Sequence, residues 1–539
     1  MENSFIQLND LPDEILLTIL KKLPNTDVLY SLIGVNKRLD TIVKDSIFTR
    51  YLTLMTPCND LSRITEPILN RFCVQILSEI RHKILWLNLE LSSMDRILLS
   101  TNYPNLLGLA LHKLIPEKAS ELFTGKIFSL ILLNNESYFI RTFKNQLSSI
   151  VIDIDINECP KSTSSIKDIN IFIFTQIFKM FKNLQYFKFN PFDDSHYDRL
   201  TFRESRPNIL SSTLLVLRVV VDFYEDCLYL LDGRFNQLNT IYVTICSSKV
   251  PTLPVVNNKK KLPNLKCFSL THRSVLSVYN NILIPQLHRM SNLEELSLYF
   301  DSLNAEIIDG YNLEKNILDY MTELKKFKFN IRSITPFDNQ VNLPSNNDIQ
   351  NTFKNFKSSK IISYIDGFPQ LNQFHCHIYS YPYSLTHYNY ITNNFRGGLF
   401  KHVCKISLVD ERPFEHEFFL QIAKSFPFVR ELRIHNREPQ NNDKQQCSII
   451  EYPHLTKLVL TQSHCHENYL EQFLNSSKMY LSNNIYLIVD YDSLQRVTDN
   501  FTSDTTRMNC AKIKYLNLDI QPELSLDLIK DYFPCAELC

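Results

Sequence analysis

The sequence predicts a mixed α/β protein with a short N-terminal bundle of three helices, followed by a long curved array of parallel strands inside and helices outside. Two observations predict this class. The first fifty residues place apolar side chains three and four positions apart, as helices do. From about residue 84 an apolar-x-x-apolar-x-apolar phrase returns about sixteen times, at intervals of roughly 20–32 residues. Strand and helix signals alternate through this second part.

Composition excludes several classes of protein. The 539 residues contain 57 Lys and Arg against 57 Asp and Glu, so the chain lacks the basic footprint that nucleic-acid binding needs. Only 8 residues are glycine, and Gly397-Gly398 is the one adjacent pair, which disfavours a glycine-rich phosphate loop. With 44% hydrophobic residues, the chain can bury a large core. We therefore expect neither a nucleotide enzyme nor a nucleic-acid partner.

Cysteine usage and the lack of targeting signals predict an intracellular protein, in the cytoplasm, the nucleus or both. The 13 cysteines are odd in number, scattered, and contain no C-x-x-C pair. The N-terminus has no basic region followed by an apolar one, so no secretory signal is predicted. No apolar run approaches the ~18–20 residues that a membrane helix needs, and no membrane partner is expected.

The first predicted helix begins at Pro12 and ends before Pro24. Proline suits the first helical position, where its missing N–H is no loss. Asp13 and Glu14 follow in the first turn, where carboxylates stabilise the positive end of the helix dipole. The apolar residues that recur at helical spacing are Leu11, Ile15, Leu16, Ile19, Leu20 and Leu23.

Two further helices complete the predicted bundle. The second starts at Thr26 or Asp27 and ends near Gly34, and the third starts near Val35 and runs through Val43. Three short helices form only a marginal core, and the apolar stripe on the first helix is wider than two small helices can cover. The bundle therefore either caps the array that follows or presents its surplus apolar face to a partner protein.

The N-terminal pattern resembles an F-box over about residues 8–48. The segments that carry the resemblance are Leu11-Pro12-Asp13-Glu14-Ile15-Leu16, Leu20, Leu23-Pro24, Asp27-Val28-Leu29 and Val35-Asn36-Lys37-Arg38-Leu39. One departure is Leu39, where many relatives carry tryptophan. The resemblance implies docking on the Skp adaptor of cullin-RING ubiquitin ligases. It also implies that most of the contact comes from Leu11, Pro12, Ile15, Leu16, Leu20, Leu23, Val28 and Val35.

The repeated phrase indicates a leucine-rich-repeat solenoid. Good copies are residues 263–270 and 291–298, and a weaker one starts at Ile127. The last two apolar positions of each phrase lie two apart, so both point to one side of a strand, and the residues between them point to an open face. The ladder asparagine expected in such repeats is mostly missing, with Asp301 and Arg273 in its place. F-box proteins often carry such repeats.

These patterns divide the chain into three regions. We expect an F-box at residues 1–50, a helical linker at 51–82 and a leucine-rich-repeat solenoid at 83–539, with an inserted polar loop near 335–360. A general α/β enzyme is the competing interpretation. So many copies of one phrase exceed what a Rossmann sheet contains, and no glycine-rich turn accompanies them.

No sequence pattern predicts a catalytic residue, a cofactor or a metal. His375-Cys376-His377 places two histidines on one side of a strand, whereas His464-Cys465-His466 falls past its strand, in the turn that follows. A zinc site needs three or four converging ligands, and 89 residues separate the two triplets. We expect a packed cysteine between exposed histidines. A hydrolase with a dispersed catalytic site stays open, because triad members need not be near in sequence.

The open face of the strands is the predicted surface for a protein substrate. Its side chains mix aromatic, cationic and histidine groups, which suit protein recognition. The candidate substrate-face residues are Tyr299, Lys326, Lys328, His375, His377, Arg433 and His435. The predicted function is substrate recognition in a Skp–cullin–F-box ubiquitin ligase, with the Skp adaptor, through it cullin, and a protein substrate as partners. The alternative is a non-catalytic scaffold or adaptor outside a ligase.

Overall fold

A computed structural model describes most of the chain. The residues it describes are 11–55, 65–124, 138–155, 163–192, 199–249, 260–303, 306–337, 343–356, 360–441, 448–461, 464–518 and 526–538. Residues 1–10 lie outside these ranges, as does the repeat predicted at Ile127. So do residues 338–342 and 357–359 of the predicted polar loop.

The N-terminal region folds into short helices, as the sequence predicts. Within residues 11–50 they are α1 (Asp13–Leu20), α2 (Asn25–Leu32), α3 (Lys37–Val43) and α4 (Ser46–Thr49). The fourth, a single turn, is additional to the three predicted. Pro12 precedes α1, and the Asn36 side chain caps α3 by accepting a hydrogen bond from the Leu39 amide at 2.8 Å. Leu16, Leu20, Val28 and other apolar side chains fill the core of the bundle.

The described chain divides into two compact units. The first contains residues 1–301 and 314–328, and the second contains residues 302–313 and 329–539. The chain passes from one unit to the other within β9 (Glu295–Leu303), α13 (Gly310–Asn316) and β10 (Lys326–Pro336).

The first unit contains a large parallel sheet. Its strands before β9 are β1 (Tyr51–Leu54), β2 (Trp86–Glu90), β3 (Gly108–Leu114), β4 (Ser149–Asp155), β5 (Tyr186–Phe192), β6 (Val216–Val221), β7 (Thr240–Ile245) and β8 (Cys267–Leu276). From β1 to β8, each strand pairs in parallel with the one that follows it in this series. Consecutive parallel pairing needs a crossover between every two strands, which the intervening segments provide.

Helices occupy several of these crossovers. They are α5 (Glu66–Arg71), α6 (Leu77–Ile80), α7 (Leu91–Ser100), α8 (Pro116–Thr124), α9 (Tyr138–Phe143), α10 (Thr163–Met180), α11 (Tyr224–Leu230) and α12 (Ile284–Leu287). Segments Phe72–Ile76 and Tyr279–Leu283 are π-helical, and Leu318–Tyr320 is a 3₁₀ turn. The stretch expected to be a helical linker begins instead with β1, which pairs with β2 and so extends the sheet to residue 51.

A tryptophan covers a glycine on the first strands of this sheet. Trp86 and Gly108 lie opposite each other on β2 and β3. A Cβ atom added at Gly108 would overlap the indole ring, so only glycine lets the ring lie this close to the backbone. The indole N–H also donates to Asn88 Oδ1 at 2.8 Å, and this hydrogen bond helps to orient the ring.

The second unit departs from the expected run of parallel strands. Strand β10 pairs antiparallel with β12 (Gln373–Ser380), which in turn pairs antiparallel with β11 (Ile361–Phe368). The predicted polar loop near 335–360 contains a short helix, α14 (Asn346–Asn351), which Ser345 and Asp348 cap reciprocally. Strand β11 follows this helix and forms the edge of the sheet. Strand β12 lies between β10 and β11, so the strands are no longer in chain order here.

A second parallel sheet follows in the same unit. Within the described residues its strands are β13 (His387–Ile391), β14 (Lys405–Val409), β15 (Glu431–His435), β17 (Lys457–Leu460), β19 (Ile485–Val489), β20 (Ile513–Leu518) and β21 (Glu537–Leu538). A separate pair comprises β16 (Ile450–Glu451) and β18 (Met479–Tyr480). The helices of this region are α15 (His416–Ser425), α16 (Glu467–Leu474), α17 (Tyr491–Val497), α18 (Asp504–Cys510) and α19 (Leu526–Tyr532).

The core of the second unit lies between one face of this sheet and its helices. One buried cluster contains apolar residues of the repeated phrase from three strands, Leu408, Leu432 and Leu458. Leu408 is the last apolar position of its copy, and the other two are the middle apolar positions of theirs. Phe419 of α15 and Phe473 of α16 join them from the helices. The alternate side chains of the same strands therefore point away from this core.

Candidate adaptor-binding surface and substrate face

Helix α1 has two apolar stripes, one buried and one exposed to solvent. Leu16 and Leu20 are 0% and 3% exposed, whereas Ile15 and Ile19 are 47% and 42% exposed. At 3.6 residues per turn, each pair lies on one face of the helix and the two faces differ by about 100°. The bundle therefore covers one stripe and leaves the other open.

The exposed stripe continues beyond the helix on both sides. Pro12 precedes it and Leu23 follows it, and we call Pro12, Ile15, Ile19 and Leu23 the α1 stripe. Other large apolar side chains exposed in the same N-terminal region are Val35, Ile47 and Tyr51. Clustered exposed apolar side chains of this kind mark protein interaction sites.

The structure separates the eight residues predicted to bind the adaptor into two groups. Pro12, Ile15, Leu23 and Val35 are exposed, and Leu11 is half-buried. The other three, Leu16, Leu20 and Val28, lie inside the bundle. Buried side chains cannot contact a docked partner, so we correct their role to that of core residues that position the exposed ones. Ile19, which the prediction omitted, was identifiable as the residue one helical turn after Ile15.

Polar contacts fix the loop that presents Val35. The Gly34 amide, at a φ of 81°, donates to Asp40 Oδ1 at 2.6 Å. This backbone hydrogen bond is the largest cause of the lowered pKa of Asp40. Arg38 Nε donates to Asp13 Oδ1 at 2.8 Å and so joins the start of α3 to the start of α1. These contacts join the loop that carries Val35 to α3, and α3 to the start of α1.

Residues 8–51 match the F-box domain. The match covers all of α1 to α4 and ends on the first residue of β1, and the chain matches no curated protein. An F-box domain implies binding to a Skp-type adaptor and a role in the ubiquitin pathway of Skp–cullin–F-box ligases. Proteins with this domain are typically non-catalytic, intracellular adaptors. The bundle predicted from the sequence is thus confirmed as an F-box domain.

The described part of the chain has neither a membrane-spanning helix nor a metal-binding cluster. No helix there has both the length and the apolar character to cross a membrane. No three His, Cys, Asp or Glu side chains converge there as a metal site would require. The ring centroids of His435 and His464 lie 5.1 Å apart with the planes tilted by 49°, but these are only two potential ligands.

A buried acid in the first unit has a structural role. Burial raises the pKa of Asp226 to about 7 against the lowering effect of its hydrogen bonds. Its carboxylate accepts from the amides of Phe202 at 2.7 Å and Phe223 at 2.9 Å, and from the Thr201 hydroxyl. These donors cap α11 and anchor residues 201–202. These hydrogen bonds explain why a carboxylate is buried at this position, and no catalytic role is needed to explain it.

Two of the candidate substrate-face residues are not on an exposed face. His375 and His377 are each 3% exposed, so the expectation of exposed histidines flanking Cys376 is wrong. Strand β12 lies between two antiparallel neighbours, and the rings of Phe368 and Tyr390 pack on His375 at 4.5 and 5.7 Å. The alternation of sides holds, but here both sides of the strand are covered.

The two buried histidines differ in their hydrogen bonds. His377 Nε2 contacts Asn330 Oδ1 at 2.8 Å. Neither ring nitrogen of His375 has a hydrogen-bond partner among the described residues. Burial, and to a smaller extent the charge of Arg332, lowers the pKa of His375 to about 3. His375 is therefore neutral and carries two unsatisfied polar atoms, each of which costs free energy.

Replacing His375 with leucine is expected to stabilise the protein. The substitution removes both unsatisfied nitrogens and keeps a side chain of similar volume, so the free energy of unfolding should rise by about 1–2 kcal/mol. Urea unfolding followed by circular dichroism measures this change. A decrease of similar size would contradict it.

His377→Leu is the matched control, because it removes a hydrogen-bonded ring and should destabilise the protein. The pH dependence provides a second readout. An unfolded histidine binds a proton below pH about 6.5, but His375 in the fold does not until about 3. Stability is therefore present above pH 6.5 and is lost as pH falls towards 3, and His375→Leu should reduce this loss.

The remaining candidate residues are accessible but lie in different units. Lys326 is exposed and Tyr299 and Lys328 are half-buried in the first unit, where Lys326 Nζ lies 3.3 Å from Glu295. Arg433 is exposed and His435 half-buried on β15 of the second unit. Within each unit the structure brings these residues onto the same strand or a nearby one.

Proposed function

We propose that the protein is the substrate-recognition subunit of a Skp–cullin–F-box ubiquitin ligase. The α1 stripe carries this proposal, because a partner must cover four exposed apolar side chains on a bundle that matches the F-box domain. In this proposal the stripe binds the Skp adaptor and, through it, cullin. Val35 and the half-buried Leu11 extend the contact from neighbouring positions.

We further propose that the strands and helices after the bundle are leucine-rich repeats. The consecutive parallel order of β1 to β8 supports this assignment, as does the position of the strands at the repeated phrase. The repeats would extend over residues 83–539, with β1 at residue 51 as an additional strand. The antiparallel strands β10 to β12 depart from the parallel order of such repeats.

The proposed contribution to ubiquitin transfer is proximity. A receptor that holds a substrate near the transfer machinery raises its effective concentration without any catalytic residue of its own. The accessible side chains proposed to contact the substrate are Tyr299, Lys326, Lys328, Arg433 and His435.

Reconstitution with purified partners tests the proposal. The full chain is mixed with the Skp adaptor and cullin and separated by size-exclusion chromatography. Elution of all three together is expected. A complex with the adaptor that excludes cullin would favour the alternative, a non-catalytic adaptor or scaffold outside a ligase. Failure to bind the adaptor would contradict the proposed function and would leave only a scaffold that acts without the adaptor.

A further inference from the structure

The outward face of the second parallel sheet carries an ordered row of side chains. In register across neighbouring strands, Lys405 lies beside Glu431, Glu431 beside Lys457, Lys457 beside Tyr486 and Tyr486 beside Tyr515. These positions alternate with leucines that belong to the buried core, so their side chains lie on the opposite side of the sheet.

Three cations lie near the carboxylate of Glu431 at one end of the row. We call Lys405, Arg433 and Lys457 the cationic patch. Arg433 Nε donates to Glu431 Oε1 at 2.7 Å, and Lys405 Nζ lies 3.4 Å from Glu431 Oε2. Burial acts to raise the pKa of Glu431, but the hydrogen bond from Arg433 and the nearby positive charges lower it below its ordinary value. With Glu431 ionised, the patch and this carboxylate together carry two excess positive charges.

An apolar strip adjoins the cationic patch. Tyr486 and Tyr515 contact each other with ring centroids 6.1 Å apart, and Lys457 Nζ lies 5.6 Å from the centre of the Tyr486 ring. Val459 and Ile488 are paired in register two residues further along the same strands, on the same face of the sheet. All four side chains of this strip, which we call the aromatic strip, are half-buried and so present part of their surface outward.

We propose that this face binds an acidic protein segment in which apolar side chains lie next to carboxylates. The carboxylates would pair with the cationic patch, and the apolar side chains would cover the aromatic strip. Charge complementarity selects the partner, because a basic segment would be repelled by the excess positive charge. Tyrosine and arginine are also the residues that most often dominate the energy of protein interfaces. This inference rests on the proposed function, since the bound segment would belong to the substrate.

Peptide binding to the full chain in complex with the Skp adaptor tests the inference. The probe is a fluorescein-labelled peptide in which leucine and phenylalanine alternate with glutamate. Two matched peptides replace every glutamate with glutamine or with lysine. Fluorescence anisotropy should show the glutamate peptide binding about tenfold more tightly than the glutamine peptide, and more weakly as salt is raised. The lysine peptide should not bind.

Variants of the chain locate the binding. Arg433→Gln combined with Lys457→Gln should reduce affinity for the glutamate peptide to that for the glutamine peptide. Tyr515→Ser should weaken both peptides. Lys424→Gln changes an exposed lysine on α15 in the same unit and should leave binding unchanged. Thermal unfolding of each variant shows that the fold is retained.

Several results would overturn the inference. They are equal binding of the three peptides, unchanged binding by the double variant, or tighter binding of a single-stranded oligonucleotide than of the glutamate peptide. These results are distinguishable from failure of the proposed function. Capture of the Skp adaptor depends on the α1 stripe, so it should proceed normally with every sheet-face variant.

Discussion

Replacing Ile15 and Ile19 together with aspartate is expected to weaken capture of the Skp adaptor by at least about 100-fold. Both side chains are exposed, so the bundle keeps its core and its stability. Both also lie on the stripe proposed to be covered by the adaptor. Two carboxylates there would have to lose their water on docking without gaining a partner. Isothermal titration calorimetry with purified adaptor measures the loss.

Leu99→Asp is the matched control for this double variant. Leu99 is 62% exposed on α7, outside the residues that match the F-box domain, and it undergoes the same chemical change. It should leave adaptor binding intact. Leu16→Asp, in contrast, should lose binding by unfolding the bundle, which circular dichroism would detect. Normal binding by the Ile15 and Ile19 double variant would remove the α1 stripe from the interface.

Gly310→Ala is expected to destabilise the second unit by about 3 kcal/mol. A Cβ atom at this position would overlap the backbone carbonyl oxygen of Thr352, and backbone cannot rotate away as a side chain can. The Gly310 amide also donates to Thr352 Oγ1 at 2.8 Å. Separation of the two segments would therefore break a buried hydrogen bond in addition to disturbing the packing.

Gly367→Ala, in the same unit, is the control for this substitution. An added Cβ there would meet Phe337 at 3.7 Å, an ordinary van der Waals contact, so stability should change by less than about 1 kcal/mol. Urea unfolding of the two variants gives the comparison. Equal urea midpoints for Gly310→Ala and the unaltered chain would contradict the prediction, because they would mean that the backbone at Thr352 shifts to make room for the added Cβ at little cost in free energy.

Much of the fold was predictable because local patterns and the global fold agree. Pro12, the carboxylates after it and Pro24 correctly delimit α1, and the repeated phrase correctly locates strands such as β15 and β17. The antiparallel β11 was not predictable, because it follows a polar stretch that resembles a loop. Its pairing with β12 depends on residues distant in sequence, which a local pattern does not record.

The candidate sites were harder to predict than the fold. On α1, isoleucine and leucine occupy both stripes, so hydrophobicity alone cannot tell Ile15 from Leu16. The periodicity reveals two faces, but only the packing of α2 and α3 decides which is covered. His375 and His377 illustrate the same limit. Strand alternation correctly opposes them to Cys376, but burial depends on Tyr390 and its neighbours, which a later segment supplies.

The contact between Trp86 and Gly108 gives the protein a built-in optical reporter. Trp86 is the single tryptophan of the chain, and its partner on β1 is Tyr51, the last residue that matches the F-box domain. Selective excitation of the indole therefore reports the environment of the first unit alone. Circular dichroism reports both units together. Comparing the two signals during unfolding separates the stability of the first unit from that of the second without any added label.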